Sequence, residues 1–218
     1  MTDKILRLGV LASGGGTNLQ SIIDRCHDKS LTAEIAVVIS NNPGSGALER
    51  ANKAGIATRC IDHRTFESRE AFDTTVVATL QEAEVDLVVL AGFMRIISEP
   101  FIEAFPLRII NIHPALLPSF PGLHVQRKAI EYGARFSGCT VHFVDGGVDT
   151  GPIIIQAVVP ILDDDCEASL SARILEQEHK IYPRAIQLFA EGRLKVEGRK
   201  VRILPPDEVA TGALINPL

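Results

Sequence analysis

The stretch ILRLGVLASGGGTNLQSIIDRC, Ile5 to Cys26, decides how the rest of the chain is read. ILRLGVLAS is a strand rich in Leu and Val. Three glycines follow, and then Leu19, Ile22, Ile23 and Cys26 recur at helical spacing. Strand, glycine loop and helix open an α/β unit. Working outward, EIAVVIS is a second buried strand, and GALERANKAG is a short helix closed by Gly55. IATRCID is a third strand. Ser68 caps a helix carrying Phe72, Val76, Val77 and Leu80 on one face. VDLVVLAG is a fourth strand, Ser98 with Pro100 opens another short helix, and RIINI is a fifth strand. Continuous apolar strands alternating with amphipathic helices predict a mostly parallel, twisted, Rossmann-like sheet covered on both faces.

Beyond that point the pattern changes. A helix around Val125–Tyr132 precedes GCTVHFV, the turn-rich DGGVDTGP and then IIIQAVVPI, which predicts an antiparallel extension. A long helix follows from about Glu167, and Pro183 is expected to kink or divide it. RLKVEGRKVRIL closes as a small hairpin across Glu197-Gly198, before a loosely packed tail.

The bulk numbers remove several classes of function. Of 218 residues, 46% are apolar and 22% charged, with a net charge of −5. That acidity argues against a nucleic-acid partner. No apolar run reaches the roughly 18 residues that span a membrane. The N-terminus has no signal-peptide core, which points to the cytoplasm. Cys26, Cys60, Cys139 and Cys166 form no C-x-x-C and are expected as free thiols rather than metal ligands.

Gly14, Gly15 and Gly16 stand between the first strand and its helix, where backbone N–H groups and the helix N-terminus suit a phosphate. The dinucleotide fingerprint fails because Leu19 holds its third glycine position, and no acidic residue follows the second strand. Walker A fails too. A small phosphorylated metabolite fits better, with Thr17 and Asn18 as further donors; Asn18 can also cap the helix.

RIINIHPALLPSFPG, Arg108 to Gly122, carries the chemistry. Strand alternation turns Asn111 and His113 to the same side, at the carboxyl end where open α/β sheets bind ligands. Pro114 keeps His113 extended, and Pro118 and Pro121 stiffen the exit. A histidine moves protons near neutral pH, and an amide donates to a developing oxyanion. The pair suits addition to a carbonyl. No serine or cysteine stands as nucleophile, so the attacking group belongs to the substrate. A carboxylate should orient and charge the histidine. Asp145 and Asp149 are both available, and spacing does not choose between them.

Together SGGGTNLQ, SNNPGSGALERANKAGIAT, LAGFMRI, NIHPALLPSFPGLH, GCTVHFVDGGVDTGPII and EQEHKIYPRAI resemble the folate-dependent glycinamide ribonucleotide transformylase family, in its order, over about residues 5 to 204. The resemblance implies a single formyltransferase domain over 1–204, with a phosphate-binding lobe to about 105 and a folate and catalytic lobe from about 106. Residues 205–218 form a tail. It implies that Asn111, His113 and Asp149 are catalytic, so it favours Asp149 over Asp145. Gly16, Thr17, Asn18 and Glu178 match substrate contacts. Arg69, Met94, Arg95, Ile96, Ile97, Asn111, Asp145, Gly146, Gly147 and Val148 match folate contacts. The implied formyl donor is 10-formyltetrahydrofolate, with no metal, in a monomer or homodimer whose partners are small molecules. Read without the resemblance, Met94 is core packing, Arg69 a solvated charge and Glu178 an exposed helix residue. His124 and Thr140 are weaker candidates for lining the site. His142 is expected to be structural, and His27, His63 and His179 carry no catalytic signal. Three rivals remain: a formyltetrahydrofolate hydrolase, a methionyl-tRNA formyltransferase and a non-catalytic nucleotide-sensing module.

Overall fold

The computed structural model describes residues 5–206. They fall into two compact units, the first running through Asn111 and the second starting at Ile112.

In the first unit β1 (Leu6–Leu11), β2 (Ala33–Ser40), β3 (Thr58–Cys60), β4 (Leu87–Leu90) and β5 (Ile109–His113, entered through its first three residues) lie in the order β3-β2-β1-β4-β5. Every pairing is parallel. The helices are α1 (Thr17–His27), α2 (Gly46–Lys53), α3 (Arg69–Glu82) and α4 (Glu99–Ala104), with a single 3₁₀ turn at His63–Thr65. The chain steps outward from β1 to β3, then crosses back to β4 and β5. Right-handed crossovers therefore put α1 and α2 on one face and α3 and α4 on the other. The packing agrees, since α1 meets α2 and α3 meets α4. Leu8, Val10, Leu87, Val88 and Val89 are inaccessible to solvent. Burial on both faces is the reason these strands read as unbroken apolar runs. The strand order reverses between β1 and β4, and ligands of open α/β sheets bind outside the strand ends at such a switch point.

The second unit takes up the chain at the last two residues of β5. It adds α5 (Val125–Tyr132), β6 (Phe136–Phe143), β7 (Ile153–Pro160), α6 (Glu167–Ala190), β8 (Leu194–Glu197) and β9 (Lys200–Ile203). Strands β6 and β7 pair antiparallel from Phe136↔Pro160 to His142↔Ile153; β7 touches β9 in parallel, and β8 and β9 pair antiparallel. Helix α6 packs on β6 and β7.

Three local expectations are corrected. Pro183 does not divide α6, which runs unbroken through 24 residues. An internal proline costs a helix ~3 kcal/mol. Burial of Leu170, Ile174, Tyr182, Ile186 and Leu188 on both sides of it contributes roughly 1.5–3 kcal/mol per side chain, so packing wins. The closing hairpin turns at Gly198-Arg199, since Glu197 and Lys200 are still paired. Asn18 does not cap α1, because Gly16 holds the N-cap position with no side-chain bond. Of the expected tail, residues 207–218 lie outside the described residues.

Candidate active site

In the first unit the glycine loop is fixed from α2. The Gly14 carbonyl accepts from Ala47 N at 3.1 Å and Ser45 Oγ at 2.9 Å, and the Gly15 carbonyl from Arg50 Nε at 2.8 Å. Gly16 has φ 72°, and a Cβ there would lie 2.7 Å from Ala47 Cα. Only glycine fits. At Gly14 and Gly15 a Cβ would meet nothing within 4 Å. The fold therefore does not require those two to be glycine, whereas close approach of a ligand to the backbone would. Thr17 opens α1, and Asn18 beside it is buried.

The segment after β4 is irregular. Met94 and Ile96 are 68% and 57% exposed, while Arg95 turns inward with its guanidinium 5.1 Å from the Phe72 ring centroid, and Ile97 is buried. Met94 is thus not core packing. Ile97 belongs to the core. Arg69, in the first turn of α3, is exposed and pairs with Glu70 at 3.2 Å. Asn111 is half-buried on β5, beside Leu90 of β4.

In the second unit His113 is 4% exposed. Its Nδ1 lies 3.3 Å from Asp149 Oδ2, and its Nε2 donates to the Phe120 carbonyl at 2.9 Å. Both ring nitrogens thus face oxygen acceptors. Asp149 Oδ2 also accepts from Gly122 N at 2.9 Å. Asp149 has φ 54°, a left-handed conformation that aspartate tolerates, and this turns its carboxylate to the histidine. Asp145 turns the other way, accepting from Thr150 Oγ1 at 2.5 Å and Gly147 N at 3.2 Å to close its own turn. The geometry thereby separates two aspartates that spacing could not. Gly146, Gly147 and Val148 between them are exposed.

Thr140 shapes the exit from His113. Its hydroxyl donates to the Ala115 carbonyl at 2.7 Å and accepts from Leu117 N at 3.1 Å, ahead of a cis Leu117-Pro118 bond. His124 is exposed at the start of α5. Glu178 is 6% exposed on α6, not the solvated residue its helical setting implied. Burial, with Glu178 nearby, pushes the Cys139 thiol up to about 12, and burial pushes Cys26 up to about 11. Neither thiol is a nucleophile at neutral pH.

His142 acquires a role that its position on the strand did not reveal. It is buried, its Nδ1 donates to the Phe143 carbonyl at 2.7 Å, and its Nε2 is 3.7 Å from Asp149 Oδ1. Burial holds its pKa below the ordinary histidine value. The Asp149 carboxylate is thus flanked by two histidines. The alternation of β6 places His142 on the Thr140 face, but only the return of the 145–149 loop brings Asp149 to it. Among the described residues, no group of three His, Cys, Asp or Glu side chains could hold a metal. No described helix is long and apolar enough to cross a membrane.

Residues 6–186 match the family described as formyl transferase. The chain belongs to the formyl transferase family. It is 46% identical over 191 residues to the phosphoribosylglycinamide formyltransferase of Escherichia coli K12, covering 88% of this chain and 90% of that protein. It is also 52% identical over 194 residues to the trifunctional purine biosynthetic protein adenosine-3 of Drosophila melanogaster. There the match covers 88% of this chain and 14% of the relative, so the chain spans about a seventh of that protein. Among solved structures, glycinamide ribonucleotide transformylase 1 from Symbiobacterium toebii is 53% identical with a TM-score of 0.92, covering 94% of this chain and 96% of that one. A formyltetrahydrofolate deformylase from Pseudomonas syringae is 26% identical with a TM-score of 0.86, covering 93% of this chain and 67% of that one. The fold is therefore shared by proteins named as a transformylase and as a deformylase.

Proposed function

We propose that the protein transfers the formyl group of 10-formyltetrahydrofolate to the amine of 5-phosphoribosylglycinamide, giving formylglycinamide ribonucleotide and tetrahydrofolate in purine biosynthesis. The observation that carries this is the His113–Asp149 pair at 3.3 Å, at the end of β5 in a chain so similar to the E. coli enzyme.

The substrate's neutral amine attacks the formyl carbon, and negative charge builds on the formyl oxygen. His113 Nε2–H is the donor for that oxyanion; in this structure the Phe120 carbonyl takes its hydrogen bond. Asn111, two residues earlier on the same strand, supplies an amide donor. Asp149 holds the ring through Nδ1 and is itself held by Gly122 N. The proton lost by the attacking nitrogen passes, through His113 or a water, to the folate nitrogen as its bond to the formyl carbon breaks and the oxyanion collapses to the new amide carbonyl. In the first unit, Gly16, Thr17 and Asn18 bind the substrate phosphate at the N-terminus of α1. Arg69 and Met94 to Ile97 contact the folate, with Met94 and Ile96 offering exposed apolar surface. In the second unit, Glu178 contacts the ribose end and Asp145 to Val148 pack by the pterin. Residues 1–204 act as one formyltransferase domain.

The likeness to the P. syringae deformylase supports a second reading, in which water is the acceptor. The lower identity, 26% against 46% to the E. coli enzyme, favours glycinamide ribonucleotide. A formyl-transfer assay with glycinamide ribonucleotide, water and tRNA as separate acceptors decides. Turnover only with glycinamide ribonucleotide is expected. Equal donor consumption without it would make the protein a hydrolase, formylation of tRNA would make it a tRNA enzyme, and no turnover would leave a binding module.

A further inference from the structure

The segment Gly92 to Ser98 is neither helix nor strand. Yet it presents Met94 and Ile96 outward and tucks Ile97 and Ser98 into the core. On the premise that this segment contacts the formyl donor, we infer that Ser13 and Asp73 are the positioning residues that set its shape, one pinning each end.

Ser13 holds the first end, from the close of β1. Its backbone N–H donates to the Gly92 carbonyl at 3.0 Å, and its Oγ accepts from Met94 N at 2.9 Å. A hydroxyl has a single proton to give, and Ser13 gives it to Asn41 Oδ1 at 2.6 Å. The Asn41 amide nitrogen lies 3.1 Å from His63 Nδ1. The hydroxyl is thereby fixed with a lone pair toward Met94 N. Asp73 holds the second end, from α3. It is 2% exposed, and its Oδ2 accepts from Ser98 N at 2.6 Å. Ser98 occupies the N-cap position of α4, but its hydroxyl makes no capping bond and is buried without a partner. The carboxylate of Asp73 therefore caps that helix start from outside, through a short charge-assisted bond. Phe72, its neighbour, lies under the Arg95 guanidinium. Between the two pins the backbone exposes Met94 and Ile96 and turns Arg95 between them inward. Removing a pin leaves Ser98 N or Met94 N without its acceptor and releases the segment.

The test is steady-state kinetics of formyl transfer on the full chain, with 10-formyltetrahydrofolate and glycinamide ribonucleotide varied separately. D73A and S13A are each expected to raise KM for the formyl donor by about tenfold, with kcat and the KM for glycinamide ribonucleotide within about threefold. D73N, whose amide oxygen still accepts from Ser98 N, is expected to restore the donor KM to within about threefold. M94D is the control for the premise and should raise the donor KM at least as far. Near-normal donor KM in D73A and S13A, with M94D impaired, would overturn the positioning roles and leave the donor segment standing. Normal donor KM in M94D would overturn both. Losses in D73A shared by both substrates and not rescued by D73N would make Asp73 merely structural and overturn its role. Should D73A fail to fold, S13A, altering a half-buried loop hydroxyl, decides by the same KM comparison.

Discussion

His113 and Asp149 show what a single side-chain direction contributes. Both aspartates of the DGGVDTG loop are close in sequence, but Asp149 faces the histidine while Asp145 is spent on Thr150 and Gly147. Asp149→Asn replaces a charged acceptor with an amide and is expected to lower kcat by about 10²-fold or more, with little change in either KM. Asp145→Asn loosens the loop and is expected to act on the donor KM instead. Steady-state kinetics of the two variants checks this. His142 gives a pH prediction. Burial lowers its pKa in the folded protein, while the unfolded chain protonates near its ordinary value of about 6.5. The unfolded state thus binds the proton first, so stability is full above that value and falls as the pH drops toward the folded pKa. The groups that act on His142 include the Phe143 carbonyl and the charges of Asp149, His113 and Asp145. His142→Asn should flatten the loss in urea midpoint below about pH 6.5; an unchanged slope would show that other groups carry it. The strand alternation made Asn111 and His113 legible in the sequence. It could not reveal the His142–Asp149 contact, which depends on where a loop returns.

Among the elements, the βα1 turn separates two reasons for being glycine. Gly16 is required by its φ of 72° and by Ala47 behind it, so Gly16→Ala is expected to cost about 1–3 kcal/mol in stability. Gly15 has open space around its Cβ direction. Gly15→Ala should leave the thermal midpoint nearly unchanged and raise KM for glycinamide ribonucleotide. Thermal melts with paired kinetics would check both, and a normal KM in folded Gly15→Ala would argue against close phosphate approach. The loop itself was readable from three successive glycines; which of them the fold needs was not, because Ala47 comes from a different helix. Pro183 carries the same lesson in the opposite direction. Local chemistry predicted a kink or a division at Pro183; division does not occur, and Tyr182 and Ile186 are buried beside it.

For the whole molecule, periodicity carried most of the architecture. Unbroken apolar strands such as Leu87–Leu90 reported a sheet covered on both faces, and the paired runs Phe136–Phe143 and Ile153–Pro160 reported the antiparallel half. Strand order was not legible, since β4 pairs with β1 rather than with β3, and no local signal encodes which earlier strand a returning chain will join. The pins at Ser13 and Asp73 were hidden for the same reason: each joins segments far apart in the chain. The formyl transferase match spans most of the chain, and the proposed site, His113 at the carboxyl end of β5, lies within it. The central claim is that His113 drives formyl transfer to glycinamide ribonucleotide. It is tested most directly by the kcat of His113→Ala, assayed as formylglycinamide ribonucleotide formed, against the unaltered protein. The expected result is a fall of about 10²- to 10⁴-fold with both KM values little changed; a near-normal kcat would contradict it.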